Sequence, residues 1–276
     1  MKKMALALAA TAALVGQAFA ADMPMKAARP VAAPAVVASW TGFWISGGFG
    51  YELGQYQTNV TSVNVAPPVQ FDYGHDVGLK GWLGKVGAGY DWQFAGPFGQ
   101  WVLGAFADGQ WSDARGQNQF LCPGICSGPT SGYSGQLKND WSWAVGARLG
   151  LVVLPGLLTY VNGGYTQAHF KDTNYLTALP NFTQGPITGA RTKDGYFIGG
   201  GTEYAIQSIP GLFWKSEVRF SDLGDKTDLT VCPLNGVACA PGVAHSLDRN
   251  HVYLQAATTE LVYRFNWGKT PVVAKY

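Results

Sequence analysis

In eight segments of this chain, large apolar residues fall at every second position. Between Trp141 and Leu151, the residues Trp141, Trp143, Val145, Ala147, Leu149 and Leu151 alternate with Ser142, Ala144, Gly146, Arg148 and Gly150. An extended chain places the first set on one face and the second on the other. The same period recurs in seven further segments. The first runs from Phe43 to Tyr51, with Phe43, Ile45, Phe49 and Tyr51 opposing Ser46, Gly48 and Gly50; Trp44 breaks the small face, where it reads as a rim aromatic. The second, 81–94, sets Trp82, Val86, Ala88, Tyr90, Trp92 and Phe94 against Lys85, Gly87, Gly89, Asp91 and Gln93. The third, 101–111, separates Trp101, Leu103, Ala105 and Trp111 from Gly104, Asp108 and Gln110, with Phe106 on the wrong side. After Trp141–Leu151 come 158–167, 196–204, 214–220 and 253–265, which predicts eight strands.

The connections sort by length. Short turns at 95–99, 154–156 and 209–211 alternate with long stretches near 52–76, 112–139, 171–194 and 222–250. Strict alternation puts turns on one side of a membrane and loops on the other, which a soluble sandwich has no reason to do.

The charges in the strands decide which face meets what. Lys85, Asp91, Asp108, Arg148, Glu203, Lys215, Glu217, Arg219, Glu260 and Arg264 all share the face opposite the aromatic one. A charge on a lipid face at mid-depth costs about 2–4 kcal/mol for Arg or Lys, so one-sided placement is the expected outcome in a membrane barrel. The predicted fold is therefore all-β, an eight-stranded antiparallel up-and-down transmembrane β-barrel with short periplasmic turns and long extracellular loops. The ten inner charges, five of each sign, form its candidate lumen network. Eight strands enclose a space about wide enough for side chains to fill, which favours an interior plugged by paired charges over a narrow ion path. For Arg148 the candidate partners are Asp108, Glu203 and Glu217.

Composition agrees. Charged residues are 13% of the chain, against about a quarter in soluble domains, while glycines and aromatics number 37 each. No apolar run in the mature part reaches the ~18 residues of a spanning helix. The start reads as an export signal over residues 1–20, with Lys2 and Lys3, an apolar Ala5–Val15 segment and the Ala18-Phe19-Ala20 cleavage pattern. An Ala/Pro-rich periplasmic linker (21–39), the barrel (40–265) and a tail (266–276) complete the organisation. Without Lys2 and Lys3 the chain carries 17 basic and 17 acidic residues, and nothing attracts nucleic acid. Two local cysteine pairs, Cys122/Cys126 and Cys232/Cys239, fit loop disulfides in an exported protein; their spacing is not a zinc pattern, and no metal or cofactor is expected.

Four motifs in order suggest a family. Trp40-Thr41-Gly42-Phe43-Trp44-Ile45-Ser46-Gly47-Gly48 resembles the W-T-G-F-Y-I-G-G opening of the alphaproteobacterial outer-membrane immunogenic proteins, often labelled "porin family" and similar to the OmpA-like eight-stranded domain. Ala88-Gly89-Tyr90-Asp91-Trp92-Gln93 resembles its A-G-Y-N-W-Q strand, and Gly201-Thr202-Glu203-Tyr204-Ala205 its G-x-E-Y-A strand. The end, Tyr263-Arg264-Phe265, resembles its terminal Y-R-F, which makes Tyr263 and Phe265 the candidate assembly signal, although Asn266 to Tyr276 follow. The resemblance implies a Gram-negative outer-membrane location. It implies as partners the membrane lipid and lipopolysaccharide, the barrel-assembly machinery, and host or surface molecules met by the loops.

Two other classes compete with this reading. A lipid A-modifying enzyme would need a Ser/His/acid set near the outer rim, for which His75, His169, His245, His251, Ser246 and Asp248 are the available residues. A soluble ligand-binding barrel would turn the aromatic face inward and gains nothing from the alternating connections. Gly199-Gly200-Gly201 lacks the Lys-Ser/Thr of a phosphate loop.

Overall fold

The structure is a computed structural model that describes residues 39–62, 75–121, 132–177, 184–231 and 244–265. Its strands are β1 (Gly42–Ser62), β2 (His75–Gly96), β3 (Gly99–Ser112), β4 (Arg115–Leu121), β5 (Gly132–Leu154), β6 (Leu157–Phe170), β7 (Thr173–Thr177), β8 (Gln184–Thr188), β9 (Arg191–Ala205), β10 (Leu212–Val231) and β11 (Ala244–Phe265). All pairings are antiparallel. Neighbours run β11-β1-β2-β3-β5-β6-β9-β10, and β10 pairs again with β11, so the sheet returns on itself. The three short strands are extensions: β4 prolongs β3 alongside β5, and β7 and β8 prolong β6 and β9 and pair with each other. Eleven segments thus make eight staves, the number the alternation predicts.

The staves are longer than the alternation suggested. Much of what read as long loops is strand: β1 continues to Ser62, β10 to Val231, and β5 begins at Gly132. The cause is visible on the outer face. Above Tyr51, β1 exposes Gln55 and Asn59 instead of aromatics, and above Tyr196, β9 exposes Thr192. Once both faces are polar, a period of two no longer reports the strand, although the backbone pairing continues.

Two aromatic girdles bound the apolar outer band. Phe43, Tyr90, Trp92, Tyr204, Trp214 and Tyr263 are exposed near the short turns, and Tyr51, Trp82, Trp111, Trp143, Tyr165 and Tyr196 are exposed nearer the long connections. Aliphatic residues such as Ile45, Val86, Leu103, Val145, Val161 and Val218 lie exposed between them. A continuous exposed apolar belt with aromatic edges is the surface of a protein solvated by lipid. Two of the short turns carry a glycine in the left-handed region, Gly156 and Gly211, and the third places Phe98 there, with the Trp101 indole N–H donating to the Pro97 carbonyl at 2.7 Å.

Candidate functional site

The inward face holds the chemistry. All ten charges singled out from the sequence point inward, and none is more than 7% exposed. They fall into two groups. Nearer the short turns, the Arg148 guanidinium donates to both oxygens of Asp91, one of them at 2.9 Å, and to Glu203 at 3.1 Å. Arg264 donates to Asp91 at 2.6 Å and to Glu203 at 2.5 and 3.0 Å. Two cations therefore meet two carboxylates in a closed square. One layer above, Lys85 contacts Glu217 at 2.8 Å, Glu260 at 3.1 Å and Asp108 at 3.8 Å; Lys215 contacts Glu260 at 3.1 Å; Arg219 holds Asp108 at 2.6 and 3.0 Å and Glu217 at 2.9 Å. Three cations meet three carboxylates, so this group too is neutral. Of the partners considered for Arg148, only Glu203 touches it; Asp108 and Glu217 serve Arg219, and Asp91 takes their place.

Glycines make these reaches possible. Asp91, Gly104 and Arg148 stand in one row across β2, β3 and β5. A Cβ on Gly104 would collide with the Asp91 carboxylate, so the empty position lets that carboxylate cross a strand to the guanidinium. Likewise Gly48 on β1 separates Lys85 from Glu260, and Gly201 on β9 separates Tyr160 from Glu217, whose carboxylate accepts the Tyr160 hydroxyl at 2.9 Å. Large residues beside small ones around the ring are how a narrow barrel is filled.

Aromatic rings separate the charge groups. Trp44 is not a rim aromatic: it is buried, with the Arg148 guanidinium 4.8 Å and the Lys215 ammonium 5.4 Å from its ring. Phe106 is inward and beside Phe197, whose ring lies 4.2 Å from the Arg219 guanidinium carbon. Such contacts stabilise desolvated cations by about 2 kcal/mol. At the periplasmic mouth Trp40 is fully buried, 4.8 Å from Phe213, with its carbonyl accepting from Arg264 at 2.9 Å. The N-terminal approach to β1 is therefore tied into the barrel floor.

A further polar group lies above the upper girdle, and of its members the sequence singles out only Asp248, as a loop acid. It packs against a buried apolar cluster that includes Leu79, Leu137, Phe170, Leu223, Val252 and Leu254. Beside it, with Arg191 opposite Phe170 and Lys193 opposite Ala168, Arg191 pairs with Asp228 at 2.8 Å, Lys193 bonds Asn250, and Asp248 accepts from Thr58. Burial pushes the Lys193 ammonium down to about 8. Inward parity continued from the lower strand marks these residues: Lys193 keeps step with Phe197 and Glu203 on β9. Glu52, at the level of the upper girdle, accepts from Asn139 at 2.8 Å and Ser112 at 3.3 Å.

Among the described residues, the candidates for catalysis are each engaged by different partners. His75 contacts Asn118 at 2.8 Å, His169 contacts Asp140 at 2.5 Å, and His251 lies between Asp222 and Asp225 at 2.8 and 3.0 Å. Asp248 faces the interior, and the side chains of His245 and Ser246 lie outside the described residues. So do Cys122, Cys126, Cys232 and Cys239, and residues 1–38 and 266–276. Tyr263 and Phe265 pack edge to face at 5.1 Å at the end of β11.

No protein-family model matches the chain. Over 233 residues it is 33% identical to the 31 kDa outer-membrane immunogenic protein of Brucella melitensis biotype 1, covering 82% of this chain and 89% of that one; the protein of the same description from Brucella suis biovar 1 matches equally. Among solved structures, Neisserial surface protein A aligns over 79% of this chain and 97% of its own at 12% identity and a TM-score of 0.34. The outer membrane protease OmpT from Escherichia coli aligns over 81% and 97% at 10% identity and a TM-score of 0.43. With its closed ring of strands, its two-girdle lipid surface and a relative alike over most of both lengths, the chain belongs to the outer-membrane immunogenic protein family of Gram-negative β-barrels.

Proposed function

We propose that this barrel is a sealed scaffold that serves the cell by what it presents at the surface, and that it does not conduct. The observation that supports this reading is the complete mutual pairing of the ten lumen charges into two neutral groups. An ion crossing the interior would have to displace a paired charge from its partner, and breaking a buried pair costs about 3–5 kcal/mol. It would then meet the apolar layer around Leu79, Leu137 and Phe170. The staves also project well past the upper girdle: from Tyr51 to Ser62 β1 rises roughly 25 Å at the tilt usual in such barrels. That height lifts the loops clear of the lipid headgroups, where host or surface molecules meet them.

The test is planar-bilayer recording with purified, refolded full-length protein whose fold is verified by its heat-dependent gel migration. The expected record is a baseline without discrete steps at 100 mV. Reproducible steps that change size in a Lys85→Gln/Glu217→Gln variant would overturn the proposal and establish a lumen path.

A further inference from the structure

The outer face above the upper girdle is charged all round, and most of those charges are answered by a neighbour. Lys226 pairs with Asp194, Arg249 with Asp225 at 3.3 Å, and His251 with Asp222 at 2.8 Å; Gln55 donates to Asp76 at 2.7 Å. On the side formed by β2, β4, β5 and the end of β6 the arrangement differs. Lys80 stands directly opposite Arg115, and Arg115 directly opposite Lys138. Lys171 follows in the next stave, its backbone N–H bonded to the Lys138 carbonyl at 3.0 Å. Four cations thus lie side by side across four staves. Like charges placed opposite one another on adjacent strands destabilise the pairing, so a run of them needs an explanation beyond folding.

Asp113 is the acid that pairs with this row, reached by Arg115 and by Lys138 at 2.7 Å each. Asp140 is engaged by His169, and Asp172 accepts from Asn174 at 3.1 Å. Among the described residues, Lys80 and Lys171 have no acid partner, and both are exposed. Height is the second observation. Lys80 is two residues above Trp82 on the same face of β2, about 7 Å along the strand. Trp82 and Trp111 are 67% and 60% exposed, and tryptophans so placed mark the level where acyl chains give way to headgroups. The cations therefore sit at headgroup height, over an aromatic shelf that acyl chains would cover.

We infer that Lys80, Arg115, Lys138 and Lys171 form a binding site for a phosphorylated lipid of the outer leaflet, with the headgroup phosphate on the cation row and the acyl chains against Trp82 and Trp111. The site commits to a lipid rather than a free anion, because the cations alone would take either and only a lipid also covers the tryptophans. It depends on the membrane placement of the barrel and is independent of whether the interior conducts.

The experiment titrates refolded full-length protein in neutral detergent with bisphosphorylated lipid A, reading bound lipid by native mass spectrometry. Three comparisons accompany it: the same lipid without its phosphates, inorganic phosphate as competitor, and two variants. One variant is Lys80→Gln/Arg115→Gln/Lys171→Gln; the other, matched for location above the girdle, is Lys226→Gln/Arg249→Gln on the far side. Each variant must keep the heat-dependent gel shift, so that lost binding is separated from lost fold. The cation-row variant is expected to bind lipid A about a hundredfold more weakly than the wild type, at roughly fivefold for each of its three lost charges. The far-side variant should bind as the wild type does, and the dephosphorylated lipid should bind weakly to all three. Equal loss in both variants would reduce the effect to general charge and overturn the site. Unchanged binding in the cation-row variant would overturn it too, as would displacement of the lipid by inorganic phosphate at equal concentration.

Discussion

Replacing Arg148 by methionine tests the interior network at a cation shared by two carboxylates. The side chain is buried, donates to both oxygens of Asp91 and to Glu203, and covers the rings of Trp44 and Tyr160 at 4.8 and 5.1 Å. Methionine keeps most of the volume and removes the charge. What remains of the lower square is Asp91 and Glu203 facing Arg264 alone, so one carboxylate is left uncompensated in a dry interior. Removing one partner from a buried ion pair costs about 3–5 kcal/mol. A second substitution, Asp91→Asn, restores neutrality by leaving Glu203 with Arg264. If the square works as an electrostatic unit, the double variant should regain about 2 kcal/mol relative to the sum of the two single losses. Urea unfolding and refolding in detergent micelles, followed by tryptophan fluorescence and by the gel shift of unheated samples, gives the four free energies. A single-variant loss below about 1 kcal/mol, or a coupling of zero, would refute the argument that these charges are held by one another rather than by water.

Two further outcomes follow from the same interior. Gly48→Val places a Cβ 2.6 Å from the Glu260 Cα and 2.8 Å from its Cγ, between Lys85 and Glu260; a loss of about 2–3 kcal/mol in the same urea assay is expected, and a neutral effect would show that the row has room. Lys193 holds its proton less firmly in the folded barrel, at about 8, than in the unfolded chain near 10.5. The folded state therefore binds fewer protons between those two values, and stability contributed through this residue rises with pH across that window. It is at its least below about 8, where both states are protonated and the folded one bears the full cost of burial. The stability difference between wild type and Lys193→Met should move in favour of the wild type from pH 8 to 10; a pH-independent difference would assign the burial cost elsewhere.

What the chain made legible was the band that touches lipid. There one face is aromatic or aliphatic and the other is small or charged, so a period of two carries the strand, its direction and its inward set together. Trp44 and Phe106 violated the pattern because an interior of guanidinium and ammonium groups accepts aromatic rings as readily as glycines. Their partners, Arg148, Lys215 and Arg219, come from strands distant in sequence. Above the girdles the outer residues are polar, and Lys193 and Asp228 were lost inside apparent loops for that reason, while Asp248 read only as a loop acid. The partners of Arg148 were partly mistaken because strand stagger decides them: Asp91 shares its row through Gly104, a relation that no single strand displays.

The seam between the first and last staves has a property that follows from the glycine at position 48. Lys85 on β2 reaches Glu260 on β11 over Gly48, and Arg264 on β11 reaches Asp91 on β2 over the same stave. Consider β11 slipped by two residues along β1. Its tyrosines would still face lipid and its backbone would still pair, so neither the apolar pattern nor the hydrogen bonds distinguish that register from the native one. The charges do, because the slip carries Glu260 and Arg264 about 7 Å from their partners. The seam is thus keyed: among the closures that satisfy the membrane, the native one is singled out by its counterions, and the join between the chain's first and last staves carries its own proof of alignment.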